Sequence, residues 1–394
     1  VINTDGTVGI VTQTTDTTAS AGTPAVYESA AVSHIAAAYD STNNKVVIAY
    51  RDDGNNEFGT AVVGTVSGSS ISFGSPVVYE SATTSYTSAT YDSTNGKVVI
   101  SYRDHGNSGR GTSIVGTVSG TSISFGTAVV INSAPGVSHI GSTYDSTNNK
   151  VVIAYRDEDN SNYGRAVVGT VSGTSISFGS PVTFESALSG YNSATYDSAN
   201  GKVVIAYQDG GNSSYGTAIV GTVSGTSISF GSPVIFESAN SRWIGATFDS
   251  VNGKVVISYK DVGNSNYGTA IVGTVSGTSI SFGTAVVFES GTTNYTSCAY
   301  DSTNKKAVIV YEDASNSDYG TAVVFTAATQ TTNLTTENYI GIAAEAISNT
   351  ATGKINVVTG TNSGQTGLTT AQSYFVQPNG TLATSAGSPS VVAG

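Results

Sequence analysis

The sequence predicts an all-β fold assembled from six copies of one four-stranded sheet, and three observations predict it. An aromatic-Asp-Ser triplet recurs at Tyr39–Ser41, Tyr91–Ser93, Tyr144–Ser146, Tyr196–Ser198, Phe248–Ser250 and Tyr300–Ser302, its aspartates 52, 53, 52, 52 and 52 residues apart. Each period holds four short apolar runs separated by clusters of Gly, Asn, Asp and Ser. Composition agrees, because charged residues make up only 11% of the 394, against about a quarter in ordinary domains. Gly, Ser, Thr, Val, Ile and Tyr fill the gap, and that mixture favours strands and tight turns over helices. A period of about 50 residues with four strands is the length of a propeller blade.

In the second repeat, strand A is expected at Tyr86–Tyr91, followed by the turn Asp92–Gly96, rich in residues that form Asx turns or accept positive φ. Strand B is Lys97–Arg103, the loop Asp104–Arg110 leads to strand C at Thr112–Val118, and the link Ser119–Thr121 leads to strand D at Ser122–Val130. Every link is short, so the four strands pair as an antiparallel meander. Strand B is apolar on both faces: in the first repeat Val46, Ile48 and Tyr50 point one way, Val47 and Ala49 the other. Such a strand lies between two layers. Strand D alternates Ile71 and Phe73 with Ser70, Ser72 and Gly74, and it admits Pro76, Pro181 and Pro233. Proline cannot donate to a ladder, so strand D is the wet outer edge.

The sixth repeat has strand A, strand B (Ala307–Tyr311) and strand C (Gly320–Phe325) but no counterpart of strand D. Gly22–Ala30 matches Gly74–Ala82. The N-terminal segment is therefore expected to complete the last blade and close a six-bladed β-propeller over residues 1–326, leaving no open edge. The alternative is seven blades, with Asn338–Ile342 starting a strand A and Gly353–Val358 forming a strand B. That stretch lacks the triplet and the loop motif of the other repeats, which favours a separate small β module over 327–394. Its Gln377–Thr381 turn joins Ser373–Val376 to Thr381–Thr384.

The formal charge is -12, and the 15 Lys and Arg do not cluster. Nucleic acid is thus not an expected partner, and the acidity reads as solubility. Cys298 is the only cysteine, so no intrachain disulfide or Cys/His zinc cluster can form. It replaces Ser or Ala of other repeats and is expected as a small buried residue. No apolar run approaches the ~20 residues of a membrane span, so no membrane insertion is expected. Methionine is absent even at residue 1, which predicts a processed chain or a piece of a longer one.

Chemistry is expected where the repeats differ. The A-to-B turns and C-to-D links are nearly constant, whereas the D-to-A segments vary. In a four-stranded blade the D-to-A and B-to-C connections share one end of the propeller, so that end is diverse and the other monotonous. Five residues before each anchor aromatic stands a ring: His34, Tyr86, His139, Tyr191, Trp243 or Tyr295. Rings with a polar tip suit sugars, stacking with the face and bonding through OH or NH. The alternative is that these rings pack between blades. Arg51, Arg103 and Arg156 share one position in three consecutive blades, with Gln208, Lys260 and Glu312 in the others. Three arginines can hold a carboxylate through bidentate pairs. The alternative is that their stems cover the blade rim.

A sialidase-like glycoside hydrolase would need a placed acid and nucleophile as well. Among near-identical blades only Glu57, Glu158 and Glu312 are nonrepeating, so hydrolysis is a distant alternative and the chain is expected not to be an enzyme. The B-to-C loops carry Asp-x-x-Asn at Asp52, Asp104, Asp157, Asp209, Asp261 and Asp313. Calcium needs about six oxygens, and each loop reliably supplies two side chains. An Asx turn is the expected reading, structural calcium the alternative, and no cofactor is expected. The motif resembles the Asp-box of sialidase propellers, itself a structural turn.

The repeat YDSTNGKVVISYRD with GTVSGTSISFGSPVV, then TTNLTTENYIGIA and GLTTAQSYFVQPNGTLATSAGSPSVVAG, resembles tail-fibre or structural virion proteins predicted from marine phages and environmental metagenomes. The resemblance covers almost the whole chain and implies a virion-tail or extracellular location. Residues 327–394 are expected to form a module docking to other virion or filament subunits. No collagen-like or heptad segment is present, so a tail-associated propeller fits better than a fibre shaft. The sequence reading is a non-enzymatic recognition or structural protein binding host-surface carbohydrate through the variable face, with a purely structural virion or filament component as the alternative.

Overall fold

The computed structural model describes residues 25–327, apart from 69, 133 and 134, and five short strands beyond them. The chain divides into two compact units, Ser20–Ala327 and Val1–Ala19 with Ala328–Gly394. The first is a β-propeller, built of antiparallel sheets that follow one another along the chain.

Its first sheet contains β1 (Val32–Asp40), β2 (Lys45–Asp52), β3 (Phe58–Ser67), β4 (Ser70–Phe73) and the start of β5 (Val77–Asp92). The order is β1-β2-β3, and β4 and β5 share the outer edge of β3, pairing with Gly64–Ser67 and Phe58–Ala61 respectively. Strand β5 then crosses to the next sheet, where Thr84–Asp92 pairs with β6 (Lys97–Asp104). One 16-residue strand thus serves as strand D of one blade and strand A of the next, as it does again at Val182–Asp197, Val234–Asp249 and Val286–Asp301.

Strand D is not the single run expected from the sequence. In the second blade it is Ser122–Phe125 and then Val129–Val130. In the first, third and fourth blades the break holds Pro76, Pro181 and Pro233, which lack an N–H, whereas the second blade breaks at the same place with Ala128 there. The break also falls at a glycine that no other residue could replace: a Cβ on Gly74 would lie 1.8 Å from the Thr121 carbonyl oxygen of the next blade.

Strand B is dry on both sides, as expected: Val98, Val99, Ile100 and Tyr102 are fully buried. Its two faces feed different cores. Val98, Ile100 and Tyr102 pack with Ala38, Val47, Ala49, Val63 and Tyr79 of the preceding blade, while Val99 packs with Val151, Ile153 and Tyr155 of the following one. There is one apolar layer per pair of neighbouring blades, so no blade has a core of its own.

Among the described residues, the outer faces of the first and last repeats lack such a layer. Tyr39 is 56% exposed where Tyr144 and Tyr196 are 9% exposed, and Val324 is 48% exposed where Val220 is fully buried. The sixth repeat carries three strands, ending at Tyr319–Phe325, and no described pairing covers the edge of the last. The expected closing segment Gly22–Ala30 lies partly outside the described residues. Within it, Tyr27 packs on Tyr50 and Phe73 with ring centroids 5.2 and 5.8 Å away. Tyr79 sits on Tyr102 and Phe125 at 5.1 and 5.8 Å, so Tyr27 takes the strand D place against the first blade.

In the second unit Ile342–Ala343 pairs antiparallel with Ile355–Asn356, and Phe375–Val376 lies between Leu382–Ala383 and Val391–Val392. The rest of the region expected as a module lies outside the described residues. No helix among the described residues is long and apolar enough to cross a membrane.

Candidate functional site

Each strand A carries one extra residue against strand B. Ser33 pairs with Arg51 and Ala36 with Ala49, so the register slips between them. The same slip recurs between Ser85 and Ser88, Ser138 and Gly141, Gly190 and Ser193, Arg242 and Gly245, and Asn294 and Ser297. This is a β-bulge, and the residue that makes it is the variable ring. His34, Tyr86, His139, Tyr191, Trp243 and Tyr295 all have φ between 48° and 52°. A bulky residue in this left-handed region costs on the order of 1–3 kcal/mol, and such residues cluster at functional sites.

The six bulges place the rings in one series. Centroids are 5.5 Å apart from His34 to Tyr86, then 5.1, 5.0, 4.9 and 4.1 Å along His139, Tyr191, Trp243 and Tyr295. The planes are tilted or edge-to-face throughout, the arrangement the ring quadrupole favours. The four inner rings are half-buried, and His34 and Tyr295 at the ends are exposed.

Polar contacts between blades accompany the arc. The Tyr86 N–H donates to His34 Nδ1 at 3.2 Å and the Tyr191 N–H to His139 Nδ1 at 3.1 Å. The Thr296 hydroxyl donates to the Trp243 carbonyl. At the intervening boundaries the N–H groups of Ser142 and Ala246 donate to Ser88 Oγ and Ser193 Oγ, both at 3.0 Å. Burial pushes the His139 imidazole down to about 4, with Arg156 adding to the shift and Glu158 opposing it. His34 is also lowered, first by burial and then by Arg51.

The three arginines lie at the same end of the blades as the rings, but each has an acidic partner. Arg51 Nε is 2.6 Å from Asp53. Arg103 and Arg156 share Glu158 at 3.0 and 3.1 Å, which ties the second blade to the third. The other blades make neutral or single-charge versions of this link. Gln208 donates to Asn240 and to the Ser241 carbonyl, and Lys260 donates to Asn294, which in turn donates to Glu312. The position therefore works as a latch to the next blade or to its own loop.

The Asp-x-x-Asn loops are Asx turns: Asp209 accepts the N–H groups of Gly211 and Asn212, and Asp104 accepts that of Asn107. No group of three His, Cys, Asp or Glu that could hold a metal occurs among the described residues. Cys298 is only partly buried, because it lies in the sixth repeat, where the core is smallest. Burial of the thiol still pushes its pKa up to about 12. His105 is exposed and contacts Ser85 Oγ through Nε2 at 2.8 Å.

Sequence reasoning missed the bulge and the cross-blade contacts. A bulge of this kind usually announces itself by a glycine, and none stands at the six ring positions.

No protein-family model matches the sequence, and no curated protein matches it. Solved structures do resemble it. BP39L lectin from Burkholderia pseudomallei is 9% identical with a TM-score of 0.59, over 75% of this chain and 82% of that one. A protein from Lactobacillus plantarum is 12% identical with a TM-score of 0.52, over 73% and 83%. SapL1 lectin, solved with alpha methyl fucoside, is 15% identical with a TM-score of 0.49, over 75% and 95%. At these identities the likeness is one of fold.

Proposed function

We propose that this chain is a non-enzymatic carbohydrate-binding propeller whose site is the arc from His34 to Tyr295. The observation that carries the reading is the conformation of the six ring residues. All six hold a strained left-handed backbone, while the ring varies among His, Tyr and Trp. Packing alone would be satisfied by one residue type on a relaxed strand. Half-exposed rings with polar tips suit the apolar faces and hydroxyls of sugars. The fold shared with BP39L lectin supports the same reading. Non-enzymatic binding is favoured because Asp53 and Glu158 are bound to the arginines, so the carboxylates near the arc are held as latch partners. The setting we infer is a phage tail or similar extracellular assembly, with residues 327–394 joining the chain to neighbouring subunits and host-surface glycan as ligand.

A second reading is favoured by one observation: the rings touch each other, as a purely structural plug would. A glycan array separates the two. The wild-type protein is expected to bind, and Trp243→Ala to lose at least tenfold in affinity, about 1.4 kcal/mol, while keeping its melting temperature within a few degrees. A folded wild-type protein that binds no glycan, or a Trp243→Ala variant that binds equally well, overturns the site.

A further inference from the structure

His34 and His139 differ from the other ring residues in what their side chains do. Each imidazole accepts the backbone N–H of the ring residue of the next blade. That N–H belongs to Tyr86 or Tyr191, which stands at a bulge with φ of 52° or 51°. A backbone N–H at a bulge has left the strand ladder and needs another acceptor. An imidazole nitrogen can accept only while it carries no proton.

We propose that His34 and His139 are positioning residues, whose neutral imidazoles hold Tyr86 and Tyr191 in the arc and release them when protonated. Protonation turns the accepting Nδ1 into a donor that faces another donor. The bond is lost, and the ring of Tyr191, which lies between His139 and Trp243 at 5.0 and 4.9 Å, loses its support on one side. The charged groups around His139 are Arg156 on the paired strand and Glu158 on the following loop. Those around His34 are Arg51, Asp53 and His105. The arginines disfavour a second positive charge and the carboxylates favour it. With burial included, the balance places both transitions below the ordinary histidine value.

The latch can be tested without a ligand, because Trp243 is the only tryptophan of the chain and touches Tyr191. Its fluorescence is followed from about pH 7 to about pH 3 in the full chain, with far-UV circular dichroism alongside. The comparison is between wild type, His139→Asn, His139→Ala and His34→Asn. Asn places its Oδ1 where Nδ1 stood, tolerates positive φ and does not titrate. The wild type is expected to change emission in acid before the sheet signal falls. His139→Asn is expected to keep the neutral-pH emission throughout, and His139→Ala to show the acid-state emission already at neutral pH. His34→Asn is expected to leave the Trp243 transition in place. An unchanged transition in His139→Asn, or a wild-type transition that coincides with loss of the sheet signal, overturns the proposal.

The consequence for recognition rests on the carbohydrate-binding reading. A glycan bound to wild type at neutral pH is expected to dissociate over the same acid range in which the Trp243 emission changes, and dissociation that follows only the loss of the sheet signal counts against a role of the latch in binding. Absence of binding at neutral pH counts against that reading, and the fluorescence titration decides the latch regardless.

Discussion

Tyr102 and Tyr155 occupy the same place in neighbouring blades and are both fully buried, but their hydroxyls differ. Tyr102 donates to Glu80 at 3.0 Å, and Tyr50, Tyr207, Tyr259 and Tyr311 make the same bond to Glu28, Glu185, Glu237 and Glu289. The third blade has Asn132 in place of the glutamate, its amide donates to Asp157, and the buried Tyr155 hydroxyl has no partner among the described residues. A buried unmade bond is unfavourable, while a bond to a carboxylate contributes about 1.5–3 kcal/mol. Tyr155→Phe is therefore expected to be neutral or slightly stabilising, and Tyr102→Phe to lower stability by roughly 1–2 kcal/mol. Denaturant titration of both variants checks the contrast, and equal losses would refute it. At this scale the sequence was legible where a side chain acts on its own turn. It was silent where the partner stands 22 residues away, as Glu80 does from Tyr102.

The A-to-B turn is the element most completely readable from sequence. Asp40 accepts the N–H groups of Thr42 and Asn43 and the side-chain amide of Asn43, and the same three bonds recur at Asp92, Asp145 and Asp197. Local bonding of this kind is what Asp and Asn do in turns. Hidden from that reading is the tie between elements. The anchor hydroxyls of Tyr91, Tyr144 and Tyr196 donate to Thr42, Thr94 and Thr147 in the turn of the preceding blade. At the next boundary both partners are missing together, Phe248 standing for the tyrosine and Ala199 for the threonine. Restoring only one leaves a polar group without its mate. Ala199→Thr and Phe248→Tyr are thus expected to be coupled, the double variant being more stable than the sum of the single changes by about 0.5–1.5 kcal/mol. A double-mutant cycle measures this directly, and additive changes would show that the turn and the next strand are independent.

At the scale of the whole propeller unit, half-buried carboxyls shape how stability varies with pH. Glu80, Glu185 and Glu237 take equivalent places, and burial raises each above the ordinary glutamate value, with Asp104, Asp209 or Asp261 adding to the shift. The folded state keeps protons there that the unfolded chain has released. Their contribution is full below the ordinary carboxyl value, near ~4.3, and is lost as pH rises through the raised folded values. The turn aspartates act in the opposite sense. In Asp40 and Asp249 the hydrogen bonds of the turn outweigh burial and hold the carboxyl low, so their contribution is present above the ordinary value and is lost only as pH falls through the lowered one. The melting temperature is expected to decline from mildly acid to neutral pH. The decline should flatten when Glu80, Glu185 and Glu237 are all replaced by Gln, and an identical slope in that variant would show that other groups set it.

The sequence by itself determined the repeat, the four strand positions and the variable end, because these follow from periodicity, alternation and turn chemistry among residues close together in the chain. It also singled out the six ring residues by their variation. Only the tertiary structure decided that those rings stand at bulges, touch in series and are held by the neighbouring blade, since each contact joins residues about one repeat apart. The tertiary structure also decided that Arg103 reaches Glu158 of the next blade, whereas Arg51 and Arg156 pair with Asp53 and Glu158 only two residues along the chain. One apolar layer per pair of blades is the physical reason for the division. The blade is written locally, while everything that acts between blades exists only once they are stacked.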